Sequence, residues 1–221
     1  MTIRGMQALF LENGLNYVSV TEDFEKLLSS DNEELRAENE NHETRGHTLR
    51  MAHYCKVLAK AVGLDEKLQD LAFYASQFHD LGKLGIAEEL LLKSEKLSNN
   101  EFEIIKTHPR MGYDRLKYAQ SRYLKAAAII CYSHHEKYDG SGYPMGLSGE
   151  TIPVLGRIVA VADVFDALTQ ERPYNELWSV EDACQLLIHE KGKHFDPLLV
   201  DLFIENLDEI KAIKSQYKDV E

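Results

Sequence analysis

The chain has only three cysteines, five prolines and one tryptophan in 221 residues. Cys55, Cys131 and Cys184 are odd in number, far apart and each set among apolar residues. That pattern excludes a disulfide-stapled secreted scaffold and predicts buried, reduced thiols. No apolar run approaches the ~18 to 20 residues that cross a bilayer, and residues 1–20 lack the basic start and apolar block of a signal sequence. The expected location is therefore the cytoplasm, without membrane association. Basic charge is also short: 25 Lys and Arg against 37 Asp and Glu give a formal charge of −12. A duplex nucleic-acid surface needs a patch that neutralises phosphates, so no duplex partner is expected, and an anionic substrate must find a locally positive site.

Sustained apolar/polar alternation, the mark of a half-buried strand, is nearly missing as well. Apolar residues recur instead at three and four positions, which predicts an all-α fold. At 44% hydrophobic and 28% charged residues, the chain has the composition of one folded domain, expected to begin near Asn41 and run over residues 43–221. The stretch 1–42 reads as an extension with an acidic connector. Three roles are open for it: a linker from a lost sensory domain, a dimerising helix that would make a homodimer, or a small regulatory cap.

Met51, Tyr54, Leu58 and Val62 form a helical stripe that Gly63 ends. Asp65 is placed to cap the next helix, whose stripe of Leu68, Leu71, Ala75 and Phe78 leads into His79-Asp80. Ser98 and Glu101 have the spacing of a capping box, opening a helix with Phe102, Ile105 and His108 on one face and a kink at Pro109. A further helix leads into His134-His135, and Asp139 to Pro144 reads as a glycine-rich loop. Ile158 to Leu168 is a nearly all-apolar helix broken only by Asp163 and Asp166. Ser179 and Asp196-Pro197 mark two more helix starts.

Seven metal-capable side chains fall on otherwise apolar faces: His47, His79, Asp80, His108, His134, His135 and Asp163. Any one of them reads most simply as a hydrogen-bonded core residue. Together, five imidazoles and two carboxylates buried without partners would cost several kcal/mol each, and metal ions remove that cost. Imidazole and carboxylate suit Fe, Mn, Zn or Ni better than the metals that favour thiolate. Adjacent candidates, His79-Asp80 and His134-His135, point about 100° apart on a helix and suit a cluster better than one ion. A carboxylate such as Asp80 or Asp163 can bridge two metals roughly 3.5 to 4 Å apart, the arrangement that supports in-line phosphoryl displacement by water.

The ordered set His79-Asp80-Leu81-Gly82-Lys83, Lys106-Thr107-His108-Pro109, His134-His135-Glu136, Asp139-Gly140-Ser141-Gly142-Tyr143-Pro144 and Val161 to Leu168 closely resembles the HD-GYP branch of the HD-domain phosphohydrolases. The similarity extends from about Glu43 to about Phe203. It implies a helical bundle with two or three divalent ions, most often iron or manganese, and phosphodiesterase activity on cyclic di-GMP, giving linear pGpG or GMP. The seven residues above fall on its metal-ligand positions, and Glu43, one helical turn before His47, matches an eighth. Asp80 and Lys83 match catalytic positions, Lys83 meeting the scissile phosphate. Arg172 matches a phosphate-binding arginine, and Tyr143 belongs to the loop that forms the substrate wall. Asn175 stands where many relatives carry a basic residue, which removes one possible phosphate contact and leaves affinity or substrate choice open. Ligand spacing does not locate the wall that reads the bases, so 3′,3′-cyclic GMP-AMP or another dinucleotide stays open as the substrate. His42, His53, His189 and His194 match no ligand position. The other readings are a broader nucleotide hydrolase, which the Gly-Tyr-Pro loop disfavours, and a dinucleotide-binding adaptor, partnered by a diguanylate cyclase or an upstream sensor, which the full ligand set disfavours.

Overall fold

The computed structural model describes residues 44–93, 95–170 and 177–219. Every regular element among them is helical, apart from an isolated bridge between Lys191 and Phe195. The expected all-α class holds.

The central helix is α1, Arg45–Ala61. Thr44 caps it by accepting the backbone N–H of His47 at 3.1 Å. Its far end is a Schellman turn: Gly63 adopts φ +83°, its N–H bonds the carbonyl of Lys60, and the N–H of Leu64 bonds that of Ala59. Helix α2, Glu66–Ala75, starts at the Asp65 cap and packs along α1. It does not run on into His79, as its stripe suggested. Instead a tight 3-10 turn, Ser76–Phe78, follows, and a second, Leu81–Gly85, begins after Asp80. The short α3, Glu88–Leu91, leads on toward α4, Asn99–Ile105, which carries the full Ser98–Glu101 capping box.

His108 does not continue α4 through a kink. It opens a separate helix, α5, His108–Leu116, with Pro109 in the first turn. Proline lacks only a donor that has no intrahelical acceptor there, whereas within α4 it would clash with the preceding turn. Helix α6, Arg122–Ser133, packs on α5, and the nearly all-apolar α7, Val154–Thr169, packs on both α1 and α6. α8, Val180–His189, and α9, Pro197–Glu205, start at Ser179 and Asp196 as the caps predict, and α10, Leu207–Gln216, closes against α1.

The core joins these faces. Tyr54 of α1 meets Phe165 of α7 edge-on at 5.8 Å between centroids, and Phe165 meets Phe203 of α9 at 4.8 Å. Met51, Leu58, Leu71, Ile130, Ile158 and Val161 fill the space between. Burying side chains of this size contributes about 1.5 to 3 kcal/mol each, which is what lets the bundle hold polar groups at one end. All three cysteines are free and buried.

Candidate metal centre

The polar end of the core lies where α1, α5, α6, α7 and the two 3-10 turns converge. Helix ends place most of the candidates. His79 and Asp80 sit between the two turns, His108 begins α5, and His134 and His135 follow the last turn of α6.

The seven candidates come together as two groups. Asp80, His108, His134 and His135 bring one ligand atom each within 4.8 Å of one another, and so do His47, His79 and Asp163. The groups meet at His79 and Asp80, whose Nε2 and Oδ2 are 3.4 Å apart. Glu43, Arg172 and Asn175 lie outside the described residues.

Ring tautomers test whether this set fits metal. His79 Nδ1 lies 2.9 Å from the Ser76 carbonyl, His108 Nδ1 2.7 Å from that of Ile105, and His134 Nδ1 3.0 Å from that of Cys131. A carbonyl only accepts, so each Nδ1 carries a proton, and in the neutral ring each Nε2 presents a lone pair. The Nε2 atoms of His108 and His134 then face each other at 3.5 Å, with Asp80 Oδ1 at 3.0 Å and 3.5 Å from them. Three acceptor atoms aimed at one point repel unless a cation lies between them. Backbone carbonyls fixing the far ring nitrogen are also the usual support of histidine ligands. The residues fit a metal site.

Local electrostatics agree. Burial pushes His134 and His135 down, His135 well below its ordinary value, so both stay neutral as ligation requires. Burial alone would raise the Asp80 carboxyl, but the Lys83 ammonium beside it outweighs burial and holds it well below the usual carboxylate range. Lys83 Nζ lies 2.5 Å from Asp80 Oδ2, so its ammonium stands at the edge of the cluster.

Tyr143 stacks on His135 at 4.8 Å, and Lys106 Nζ lies over the Tyr143 ring, 5.4 Å from its centroid. The loop that carries it is held by Glu136, which accepts the N–H groups of Met145 at 2.7 Å and Leu147 at 2.9 Å. Gly142 is needed for close approach: a Cβ there would sit 2.2 Å from the Lys137 nitrogen. Sequence reasoning gave no role to Glu136, Arg50 or Asp166. Asp166 Oδ2 lies 2.8 Å from His47 Nδ1, and Arg50 Nε donates to Asp166 Oδ1 at 2.7 Å. The available signal was a charged residue inside an apolar stripe, Asp166 in α7 and Arg50 in α1.

Residues 24–199 match the family model described as an HD domain. The chain belongs to the HD-domain family. As an HD domain it is 44% identical over 168 residues to the cyclic di-GMP phosphodiesterase response regulator RpfG of Xanthomonas campestris, covering 76% of this chain and 44% of that protein. It is 42% identical over 182 residues to 3′3′-cGAMP-specific phosphodiesterase 2 of Vibrio cholerae, covering 82% and 35%. The HD domain thus spans less than half the length of both relatives. Among solved structures it is similar to a cyclic GMP-AMP specific phosphodiesterase of V. cholerae, with a TM-score of 0.60 at 24% identity, covering 83% of this chain and 49% of that one. That similarity supports the fold. No helix among the described residues is long and apolar enough to cross a membrane.

Proposed function

We propose that this HD domain is a metal-dependent phosphodiesterase that hydrolyses cyclic di-GMP to linear pGpG or GMP in the cytoplasm. The observation that carries the reading is the pair of ligand groups joined at His79 and Asp80. His47, His79 and Asp163 would hold one ion, and Asp80, His108, His134 and His135 another, with Glu43 available to a third. Divalent ions held there would supply Lewis acidity toward a phosphodiester and toward water. The donor set suits iron, manganese, nickel or zinc alike; iron or manganese is preferred among them on the HD-GYP resemblance alone.

The chain's own groups do the rest. Lys83 brings a cation to where charge grows on the phosphate and the departing 3′ oxygen. Tyr143, stacked on His135 and half-buried, offers a ring face for a base and an O–H for a phosphate oxygen. Arg172 is assigned a bidentate phosphate contact. The three carboxylates of the ligand set, in a chain of charge −12, would repel an anionic dinucleotide unless two or three divalent charges were held there to offset them.

Cyclic di-GMP is preferred because it is named for RpfG, the 44% identical relative. 3′,3′-cyclic GMP-AMP is the second reading, because a 42% identical relative carries that name. The deciding experiment compares kcat/KM for both on metal-loaded protein, with products separated. A higher value for cyclic di-GMP is expected. The reverse ranking transfers the assignment to cyclic GMP-AMP, and an intact pool of both refutes phosphodiesterase function.

A further inference from the structure

Arg50 is a buried guanidinium that the proposed chemistry does not use. Its Nε and Nη2 donate to the two oxygens of Asp166 at 2.7 Å and 2.9 Å, a bidentate pair whose side chains are both 1% exposed. Removing a charge from water is unfavourable unless its remaining donors are also met. Residues just after α10 meet them: Nη1 donates to the Tyr217 carbonyl at 2.7 Å, and Nη2 also reaches Asp219 Oδ2 at 3.0 Å.

The bonds then close into a ring. Asp219 Oδ1 accepts from Thr44 Oγ1 at 2.5 Å, Thr44 Oγ1 accepts the backbone N–H of His47, and Asp166 Oδ2 accepts from His47 Nδ1 at 2.8 Å. His47 is therefore gripped at its ring and at its backbone by one circuit. Gly46 makes room for it: a Cβ there would lie 2.2 Å from Asp219 Oδ1 and 2.8 Å from Arg50 Nη1. Tyr217 and Asp219 lie beyond residues 24–199 that match the family.

We infer that Asp166, Arg50 and the Tyr217–Asp219 segment are positioning elements for His47, so that residues past the matched HD domain set the affinity of the ion held by His47, His79 and Asp163. The inference rests on the metal reading above. Asp166 fixes the His47 tautomer, Arg50 fixes Asp166, and Asp219 ties Arg50 to the cap of α1. Outer partners of this kind typically change metal affinity by about 10- to 100-fold.

The test is a stepwise Mn(II) titration of the full chain, following free Mn(II) by EPR, with circular dichroism and thermal unfolding run alongside. Asp166→Ala is expected to weaken one binding step about 10- to 100-fold. Asp219→Ala and Gly46→Ala should weaken the same step several-fold and leave any other step unchanged, while Asp219→Asn, which keeps hydrogen-bonding capacity, should recover part of the loss. Should Asp166→Ala fail to fold, the half-exposed Asp219 still carries the test. Leu199→Ala, buried in α9 outside the circuit, controls for destabilisation alone. Wild-type affinity in Asp219→Ala and Gly46→Ala overturns the inference, as does equal weakening by Leu199→Ala. A wild-type chain that binds no Mn(II) overturns the metal reading beneath it instead.

Discussion

Gly82 lies two residues after Asp80, where the second 3-10 turn presses on the first turn of α5. A Cβ at this position would stand 1.8 Å from the carbonyl oxygen of His108, 2.6 Å from the nitrogen of Gly112 and 2.7 Å from the carbonyl carbon of His108. All three are backbone atoms, so no rotamer change relieves the clash. Accommodating Gly82→Ala requires the two segments to separate by roughly 1 Å, which overpacking data put at about 1 to 3 kcal/mol. The same displacement opens the 3.0 Å approach between His108 Nε2 and Asp80 Oδ1. Because misplacement of that size typically costs about 100-fold in rate, Gly82→Ala should keep its helicity, unfold at lower denaturant and lose about two orders of magnitude in cyclic-dinucleotide turnover. Urea denaturation and initial rates on equally metal-loaded protein measure both. Turnover within a factor of three of wild type at unchanged stability would refute the role given to this contact.

Glu136→Ala removes the acceptor of two backbone N–H groups, so stability should fall by about 1 to 3 kcal/mol in urea denaturation, with Glu136→Gln intermediate; equal midpoints for all three proteins contradict the loop's anchoring. The Cys55 thiol is pushed up to about 12 by burial, Cys131 is raised by burial as well, and Cys184 is buried with them. A disulfide exchange reagent at pH 8 should therefore leave all three unlabelled in the folded protein and label three in urea; rapid labelling of the folded chain contradicts this. Burial, and after it the nearby Lys137 charge, pushes His194 down to about 4, and Phe195 stacks on the ring at 4.1 Å. Between its ordinary value and about 4, the unfolded chain takes a proton that the fold refuses, so stability falls as pH falls across that window. The loss is at most roughly 3 kcal/mol and is reduced by screening of the part-exposed ring. His194→Gln should flatten the decline between pH 6.5 and 4.5, and identical slopes for the two proteins refute the assignment.

Local signals were legible in the sequence. Asp65, Ser98, Ser179 and Asp196 cap helices as their spacing predicts, because a cap is a contact within three residues. Gly63 ends α1 for the same reason. The two misread boundaries are also local. The stripe through Leu68, Leu71 and Ala75 carried past Ser76 on apolar spacing alone, and Pro109 was given a kink where it starts a new helix. What could not be read are contacts between distant positions: Arg50 with Asp166, 116 residues apart, and Arg50 with Asp219, 169 apart. The seven candidate ligands were legible because their residue types are anomalous in apolar surroundings. Their division into two groups required the turn after α2, which places His79 with one group and Asp80 with the other.

The most direct measurement loads the chain under reducing conditions with Fe(II) or Mn(II), counts the ions per chain, and follows cyclic di-GMP hydrolysis in the same samples. Two or more ions per chain are predicted, with turnover rising as the sites fill and vanishing on chelation. A fully loaded chain that leaves both cyclic di-GMP and 3′,3′-cyclic GMP-AMP uncut, or turnover that persists after the ions are removed, contradicts the account.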